Sequence, residues 1–453
     1  MLAGRVSAQT FTTLYSFSSS SNGVSPYASL ILSGNTLYGT TAYGGSGNSG
    51  AVFAINTDGA GYTNLHSFNF LSDGSRPQAR LVLSSNVLFG TAVQGGSVGS
   101  GTVFAVNTDG SGFTNLHSFT SHYDGTFSTN GDGAYPYGGL ILSGNTLYGT
   151  TAYNGSGADG TVFAINTDGS SFTNLHYFTI FDEAVENDGG QPRADLILSG
   201  NTLYGTAYDG PQAGNGRVFA VNPDGTGFTF LHLFNGSDGI WPEAGLILSG
   251  NTLYGTCYKG GISSGGTVFA VNTDGTGFTN LHNFTSHNDG ANPQGDLILS
   301  GNTLIGTTFK GGVANYGTVF AVNTDGTGFT NLHSFSTVTS GTNSDGRYLR
   351  AGLVLKGNTL YGTASVGGSA GNGTIYSLSF APQLTIVSSG ANVILTWPTN
   401  VAGFSYAGYT LQCATTLVST NWTTISPPPV VVNGQNTVTN AISGTQMFYR
   451  LSE

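Results

Sequence analysis

Residues 140 to 150 read LILSGNTLYGT, and nearly the same eleven letters begin at Leu30, Leu81, Leu196, Leu246, Leu297 and Leu353. A chain that writes one phrase seven times builds one structural unit seven times, and the spacing of its landmarks defines that unit. The Leu of L-[IV]-L-x-[GS]-N is followed at one constant interval by the Gly of G-[TAR]-[VI]-[FY]. All seven copies keep that interval, with the Gly at Gly50, Gly101, Gly160, Gly216, Gly266, Gly317 and Gly373. A second constant interval separates that Gly from the Phe closing an FTNLHSF-like run, which in six copies is Phe68, Phe119, Phe178, Phe234, Phe284 and Phe335. Only the stretch from closing Phe to next Leu changes length. It is short from Phe17 to Leu30, Phe68 to Leu81, Phe234 to Leu246 and Phe284 to Leu297, and longer from Phe119 to Leu140, Phe178 to Leu196 and Phe335 to Leu353.

Each copy holds four short runs rich in β-branched and aromatic residues, LILS, TLYGT, TVFAV and FTNLHSF, separated by Ser-Gly-Asn, Gly-Gly and Asp-Gly. They are too short for helices and read as four antiparallel strands joined by tight turns. Four strands in a period of about 50 residues describe a β-propeller blade. The seventh copy stops after GTIYSLSF without its fourth strand, and the missing strand stands at the other end as Phe11 to Phe17. The expectation is therefore an all-β, seven-bladed β-propeller over residues 10–380, closed by its N-terminal strand, which removes the exposed edges of an open stack.

Composition narrows the partners. With 11 Lys and Arg against 22 Asp and Glu, the net charge of −11 offers no basic field, so nucleic acid is not an expected partner. The two cysteines, Cys257 and Cys413, fall in separate domains, too few for a disulfide scaffold. No run approaches the roughly 20 apolar residues of a transmembrane helix. Residues 1–9 contain Val6-Ser7-Ala8, a small-x-small triplet without the apolar segment that should precede it, and are expected to be the remnant of an export signal or a disordered leader.

The order of a strand, LYGTxxxGG, VFAVN and then an aromatic before the outer strand resembles the kelch repeat. The copies are more similar still to the GloVer tandem repeats of secreted bacterial surface proteins, over about 370 of the 453 residues. That resemblance implies a propeller-like repeat, a secreted or cell-surface location and a variable C-terminal module, and it carries no established activity or catalytic residues. Residues 381–453 leave the pattern. VILTWPTN, YTLQCATT, NWTTIS, NTVTNAI and MFYRLSE alternate like short strands and resemble a fibronectin-III or immunoglobulin-like sandwich, with Trp397 and Phe448 to Leu451 as cues and Pro427 to Pro429 as a loop or edge.

Strand direction puts the variable connection on the same face as the turn after the second strand, and repeat proteins carry their insertions on the binding face. Eight of the eleven basic residues, Arg76, Arg80, Arg193, Arg217, Lys259, Lys310, Arg347 and Arg350, lie in or beside those loops. Positions just ahead of the inner strand differ from copy to copy and should ring the mouth of a central channel. The expected ligand-binding residues are Arg80, Tyr135, Tyr137, Arg193, Asp195, Trp241, Glu243, Gln294, Asp296, Tyr348 and Arg350. Aromatic faces, amides and charges together suit a glycan or polar protein ligand. Asp195, Glu243 and Asp296 would be the carboxylates of a polysaccharide-acting enzyme, a glycoside hydrolase or lyase, if there were chemistry.

Other motifs read as structural. His66, His117, His176, His232, His282 and His333 occupy one position on the outer strand, with Tyr15 as the seventh, too far apart to share a metal and expected to pack or hydrogen-bond locally. The NTDG turns and the Asp series Asp73, Asp132, Asp188, Asp238, Asp289 and Asp345, with Asn22 as the seventh, should shape turns rather than bind calcium. No metal or cofactor is expected. The functional expectation is a non-catalytic extracellular or surface binding module for a glycan or protein. The alternatives are the enzyme above and a structural surface-layer protein.

Overall fold

The computed structural model describes residues 8–18, 20–120, 131–154, 158–179, 189–210, 214–336, 343–401, 403–416, 421–441 and 447–452. The protein is all-β and propeller-like. Its first strand, β1 (Ala8–Ser16), precedes the first repeat, which folds as β2 (Ile31–Ser33), β3 (Thr36–Thr41), β4 (Ala51–Asn56) and β5 (Thr63–Ser67), hydrogen-bonded in that order. The next five copies form the same antiparallel sheet. The seventh contributes Val354–Lys356, Thr359–Ala364 and Thr374–Ala381, and its fourth strand is β1, paired from Ala8 opposite Ala381 through Phe11 opposite Leu378 to Ser16 opposite Thr374. The strand thus begins at Ala8, inside the stretch expected as leader, while residues 1–7 lie outside the described residues.

Why the sheets need one another is written in β4, which reads AVFAIN and is buried along Ala51 to Ile55. Alternate residues of a strand face opposite ways. Phe53 and Ile55 enter one core with Leu30, Leu37, Tyr361 and Ile375, whereas Val52 and Ala54 enter another with Phe68, Leu81, Leu88 and Phe104. A strand apolar on both faces must lie between two other sheets. The same arrangement recurs in cores joining sheets two and three, three and four, four and five, five and six, and six and seven. The contacts therefore run through all seven sheets and return to the first.

The packing also explains one invariant letter. In TLYGT the glycine lies under the phenylalanine of the third strand, and a Cβ on Gly39 would sit 2.7 Å from both the Phe53 ring and Leu30. Outside the cores, the outer histidines each stack on the aromatic residue opening the next sheet's outer strand, as His66 does on Phe113 with ring centroids 3.6 Å apart. His333 stacks on Phe11 of β1 at 4.6 Å, and Tyr15 stacks on Tyr62 at 4.1 Å. His66, His117, His232, His282 and His333 also meet the aspartate of the following connection, for example His66 Nε2 with Asp73 at 3.1 Å and His232 Nε2 with Asp238 at 3.1 Å. Asp73 in turn accepts from the Asn69 backbone N–H, which is the turn-shaping role expected of it. At the seventh position both partners change together: Asn22 donates to the Tyr15 hydroxyl at 2.9 Å. Asp188 lies outside the described residues. Burial holds His66, His232 and His282 below the usual imidazole value despite the adjacent aspartates.

Beyond Ala381 two larger sheets and the short pair Asn400–Val401 and Phe404–Ser405 share one core. One orders Thr385–Ser389, Asn392–Pro398, Gln435–Ala441 and Val430–Val432; the other orders Thr423–Thr424, Thr410–Ala414 and Phe448–Ser452. Leu395, Trp397, Tyr406, Leu411 and Val438 are buried in a cluster continuous with sheets six and seven. Phe380 stacks on Phe404 at 4.3 Å, and the Ser300 hydroxyl donates to the Gly403 carbonyl at 2.7 Å. Cys257 and Cys413 are free thiols. No helix of the described residues is long and apolar enough to cross a membrane.

If β1 carries the same packing as its internal counterparts, Phe11→Ala and Phe113→Ala should each lower unfolding free energy by about 2–3 kcal/mol in urea titrations. A silent Phe11→Ala beside a costly Phe113→Ala would mean that β1 does not hold the seventh sheet in solution.

Candidate functional site

Three concentric rings of side chains surround the mouth of the space between the inner strands, each ring taking one residue from every sheet. The outermost is set by the backbone. Ser25, Arg76, Tyr135, Gln191, Trp241, Asn292 and Tyr348 all adopt left-handed φ between 53° and 61°. Six of them precede a proline, a position that ordinarily favours extended backbone with φ well below zero. The conformation is held from both sides. The Arg76 N–H donates to the Ser49 carbonyl of the previous sheet's loop, and the Arg76 carbonyl accepts from Val93 of its own sheet. The same pair of bonds recurs at Tyr135 with Ser100 and Ala152, and at Trp241 with Asn215 and Tyr258. Seven strained and nearly superposable backbones thus present different side chains, and such strain persists only where surrounding structure enforces it.

The innermost ring is Ser29, Arg80, Gly139, Asp195, Gly245, Asp296 and Gly352. Here acceptors and glycines alternate. Asp195 accepts from the Gly139 N–H, Asp296 from the Gly245 N–H at 2.7 Å, and Ser29 Oγ from the Gly352 N–H at 2.8 Å. A Cβ on Gly139 would meet Asp195 Oδ1 at 2.8 Å, so the approach requires glycine. Seven is odd, and the unmatched place holds Arg80, whose Nε donates to Asp195 Oδ2 at 3.2 Å. Asp195 is the main reason the Arg80 guanidinium holds its proton still more firmly than usual, with Asp296 adding to it. Burial, then repulsion from Asp195, pushes Asp296 up to about 6, against the pull of Arg80 and the Gly245 N–H. Below this ring lies a space of about 560 Å³ walled by Leu and Ile of the inner strands.

Between these rings lie Tyr27, Gln78, Tyr137, Arg193, Glu243, Gln294 and Arg350. Gln294 donates to Glu243 at 2.7 Å, and burial raises the Glu243 carboxyl despite that bond and the nearby Arg193 and Arg350. A cavity of about 220 Å³ opens here. Of the expected ligand-binding residues, Arg80, Tyr137, Arg193, Asp195, Glu243, Gln294, Asp296 and Arg350 line it. Tyr135, Trp241 and Tyr348 do not. As members of the outer ring they pack on aromatic side chains just past the ends of second strands: Tyr135 edge-on to Tyr153 at 5.7 Å, Trp241 flat on Tyr208 at 5.5 Å, Tyr348 flat on Phe309 at 5.0 Å. Sequence reasoning missed those partners, although an aromatic recurs two or three residues past the LYGT-like run, as in LYGTTAY, LYGTAY and LIGTTF.

The cations complete two layered stacks. Arg193 lies between Tyr208 at 4.0 Å and Tyr137 at 5.6 Å, with Lys259 over Trp241 at 5.2 Å on the far side of Tyr208. Arg350 lies between Phe309 at 4.7 Å and Tyr27 at 4.9 Å, with Arg347 over Tyr348. Among the described residues no group of three His, Cys, Asp or Glu is placed to hold a metal ion.

Comparison with known proteins agrees with the repeat architecture. The sequence profile of the Gloeobacter/Verrucomicrobia repeat matches residues 4–187 and 179–376. The chain belongs to this repeat family. No curated protein matches it in sequence. Among solved structures, an oligogalacturonate lyase in complex with manganese is similar at a TM-score of 0.52 and 12% identity, over 83% of this chain and 94% of that one. An oligogalacturonate lyase from Vibrio parahaemolyticus gives a TM-score of 0.50 at 10% identity, over 83% and 95%. At such identity the likeness is one of fold, and it places this family's repeat among propeller-like structures.

Because Asp296 binds its proton more tightly when folded than unfolded, this group's contribution to stability is present at low pH and is lost as pH rises from about 4 through 6. Asp296→Asn should therefore gain stability relative to wild type as pH rises across that window, by no more than about 3 kcal/mol, in paired melts at pH 4 and 7. A difference that does not change with pH would show that the carboxyl titrates normally.

Proposed function

We propose that this repeat protein is a secreted or cell-surface, non-catalytic binding module: a seven-bladed, kelch-like propeller clasped by β1, which recognises a glycan or protein at the mouth of its variable-loop face. The observation that carries this reading is the outer ring, where an enforced left-handed backbone recurs in every sheet while the side chain it displays changes. A scaffold that only filled space would have no reason to hold Tyr135, Trp241 and Tyr348 in a conformation bulky residues disfavour. Aromatic faces beside amides and charges are what polar, flat-faced ligands such as sugars need. The C-terminal unit, read as a fibronectin-III or immunoglobulin-like sandwich, packs against sheets six and seven, through Ser300 at the turn between first and second strands, on the face opposite this mouth.

The same carboxylates suit catalysis less well. Asp195 and Asp296 each commit an oxygen to a glycine N–H, and Asp195 commits its other oxygen to Arg80, which ties them to shaping the mouth.

The test is a screen of the full chain on glycan arrays followed by calorimetric titration. Tyr137→Ala should weaken binding about 10-fold with melting temperature nearly unchanged, whereas Thr57→Ala, at an opposite-face turn, should leave binding as it is. Binding unaffected by Tyr137→Ala and Arg350→Gln would remove the mouth as the site. Sugar release that disappears in Asp296→Asn would replace binding with hydrolysis or elimination.

A further inference from the structure

The cations of the variable face pose a question of charge. In a protein with twice as many acidic as basic residues, Arg193, Arg350, Arg347 and Lys259 have no carboxylate at salt-bridge distance among the described residues, Glu243 lying near Arg193 and Arg350 without pairing with either, whereas Arg80 pairs with Asp195. They lie instead against aromatic rings. Cation–π contact orients a guanidinium and covers its faces, but it leaves the full positive charge in place and the N–H groups unspent by the ring.

Arg350 is the clearest case. It is sandwiched between Phe309 and Tyr27, it lines the mouth cavity, and it makes no hydrogen bond or ion pair among the described residues. Arg193, in the other stack, gives one nitrogen to Tyr153 at 3.0 Å and Gln191 at 2.6 Å, which fix its plane. The acidic groups near these stacks are already engaged: Glu243 with Gln294, and Asp195 and Asp296 with the innermost ring. Two positively charged stacks thus stand on separate sectors of the mouth, one on sheets three to five and one on sheets six, seven and one. A single small anion would use one of them; a chain carrying regularly spaced anions would use both.

Resting on the binding reading above, we infer that the ligand is a polyanionic polysaccharide whose acidic groups are held by Arg193 and Arg350 while its sugar rings lie against Tyr137 and Tyr27, which end the two stacks. Arginine held flat is the side chain suited to two-point capture of carboxylate or sulfate. Binding should accordingly weaken with salt.

The experiment compares matched charged and neutral polymers on the full chain at low and high salt: alginate against its neutral propylene glycol ester, and dextran sulfate against dextran. Alginate or dextran sulfate should bind at least about 10-fold more tightly than its neutral counterpart, the pair that does so identifying carboxylate or sulfate as the group recognised. Arg350→Gln and Arg193→Gln should each weaken charged-polymer binding about 10-fold and flatten its salt dependence, while Arg450→Gln in the C-terminal unit should change neither. Far-ultraviolet circular dichroism and melting curves identify any variant that fails to fold, in which case Arg350→Lys, which keeps charge but loses the planar fork, serves in its place and should still weaken binding. Equal binding of charged and neutral polymers, reversed by Tyr137→Ala, would overturn the anionic ligand and leave the glycan reading standing. No binding of any polymer would overturn both, and binding insensitive to both arginine substitutions would overturn the assignment to these stacks.

Discussion

The structure depends on a third strand that is apolar on both faces. Phe53 and Ile55 point into one inter-sheet core and Val52 and Ala54 into the next, so no repeat can satisfy its own strand, and every sheet needs a neighbour on each side. A linear stack would leave two such faces in water. Here the sequence of cores passes through all seven sheets and comes back to Phe17, Leu30 and Tyr361, and the outer stack of histidine on aromatic ring is completed by Phe11 on His333. The strand that opens the chain and the strand that ends the repeats are hydrogen-bonded partners, so the junction is reinforced by backbone bonds as well as by burial.

That two-sided packing lets the mouth carry features a looser scaffold would relax. Glycines in the innermost ring let carboxylates take backbone N–H bonds at the entrance to an apolar space, and Arg80 fills the place where an alternating pattern fails on an odd number of sheets. Above it, the basic residues are layered on aromatic rings. The acidic residues thus serve the internal structure of the face, while the Arg350 guanidinium, layered between Tyr27 and Phe309, makes no hydrogen bond among the described residues.

The repeat made the sheet order legible, because two constant spacings, Leu to Gly and Gly to closing Phe, leave only one connection free to vary. The displaced strand at Phe11 to Phe17 showed where the seventh sheet would be completed. Eight mouth residues, from Arg80 to Arg350, were legible from the same register. What could not be read was pairing across the fold. His66 and Asp73 stand in the sequence as two separate periodic series, and only their contact explains why Tyr15 and Asn22 depart from both series together. The left-handed position was hidden because sequence preference before proline points the other way, and the enforcing bonds come from loops of adjacent sheets. Trp241 and Tyr348 fall outside the cavity wall because Tyr208 and Phe309 cover them, contacts between sheets that no local pattern announces.

The left-handed residue ahead of each proline has an evolutionary corollary. Its main-chain partners are backbone atoms, so exchanging the side chain leaves the hydrogen bonds of the scaffold untouched. Duplication of one repeat therefore delivers a ready-made socket whose backbone bonds stay in place while selection tries serine, arginine, tyrosine, glutamine, tryptophan or asparagine, an economy otherwise associated with hypervariable immune loops on a conserved frame.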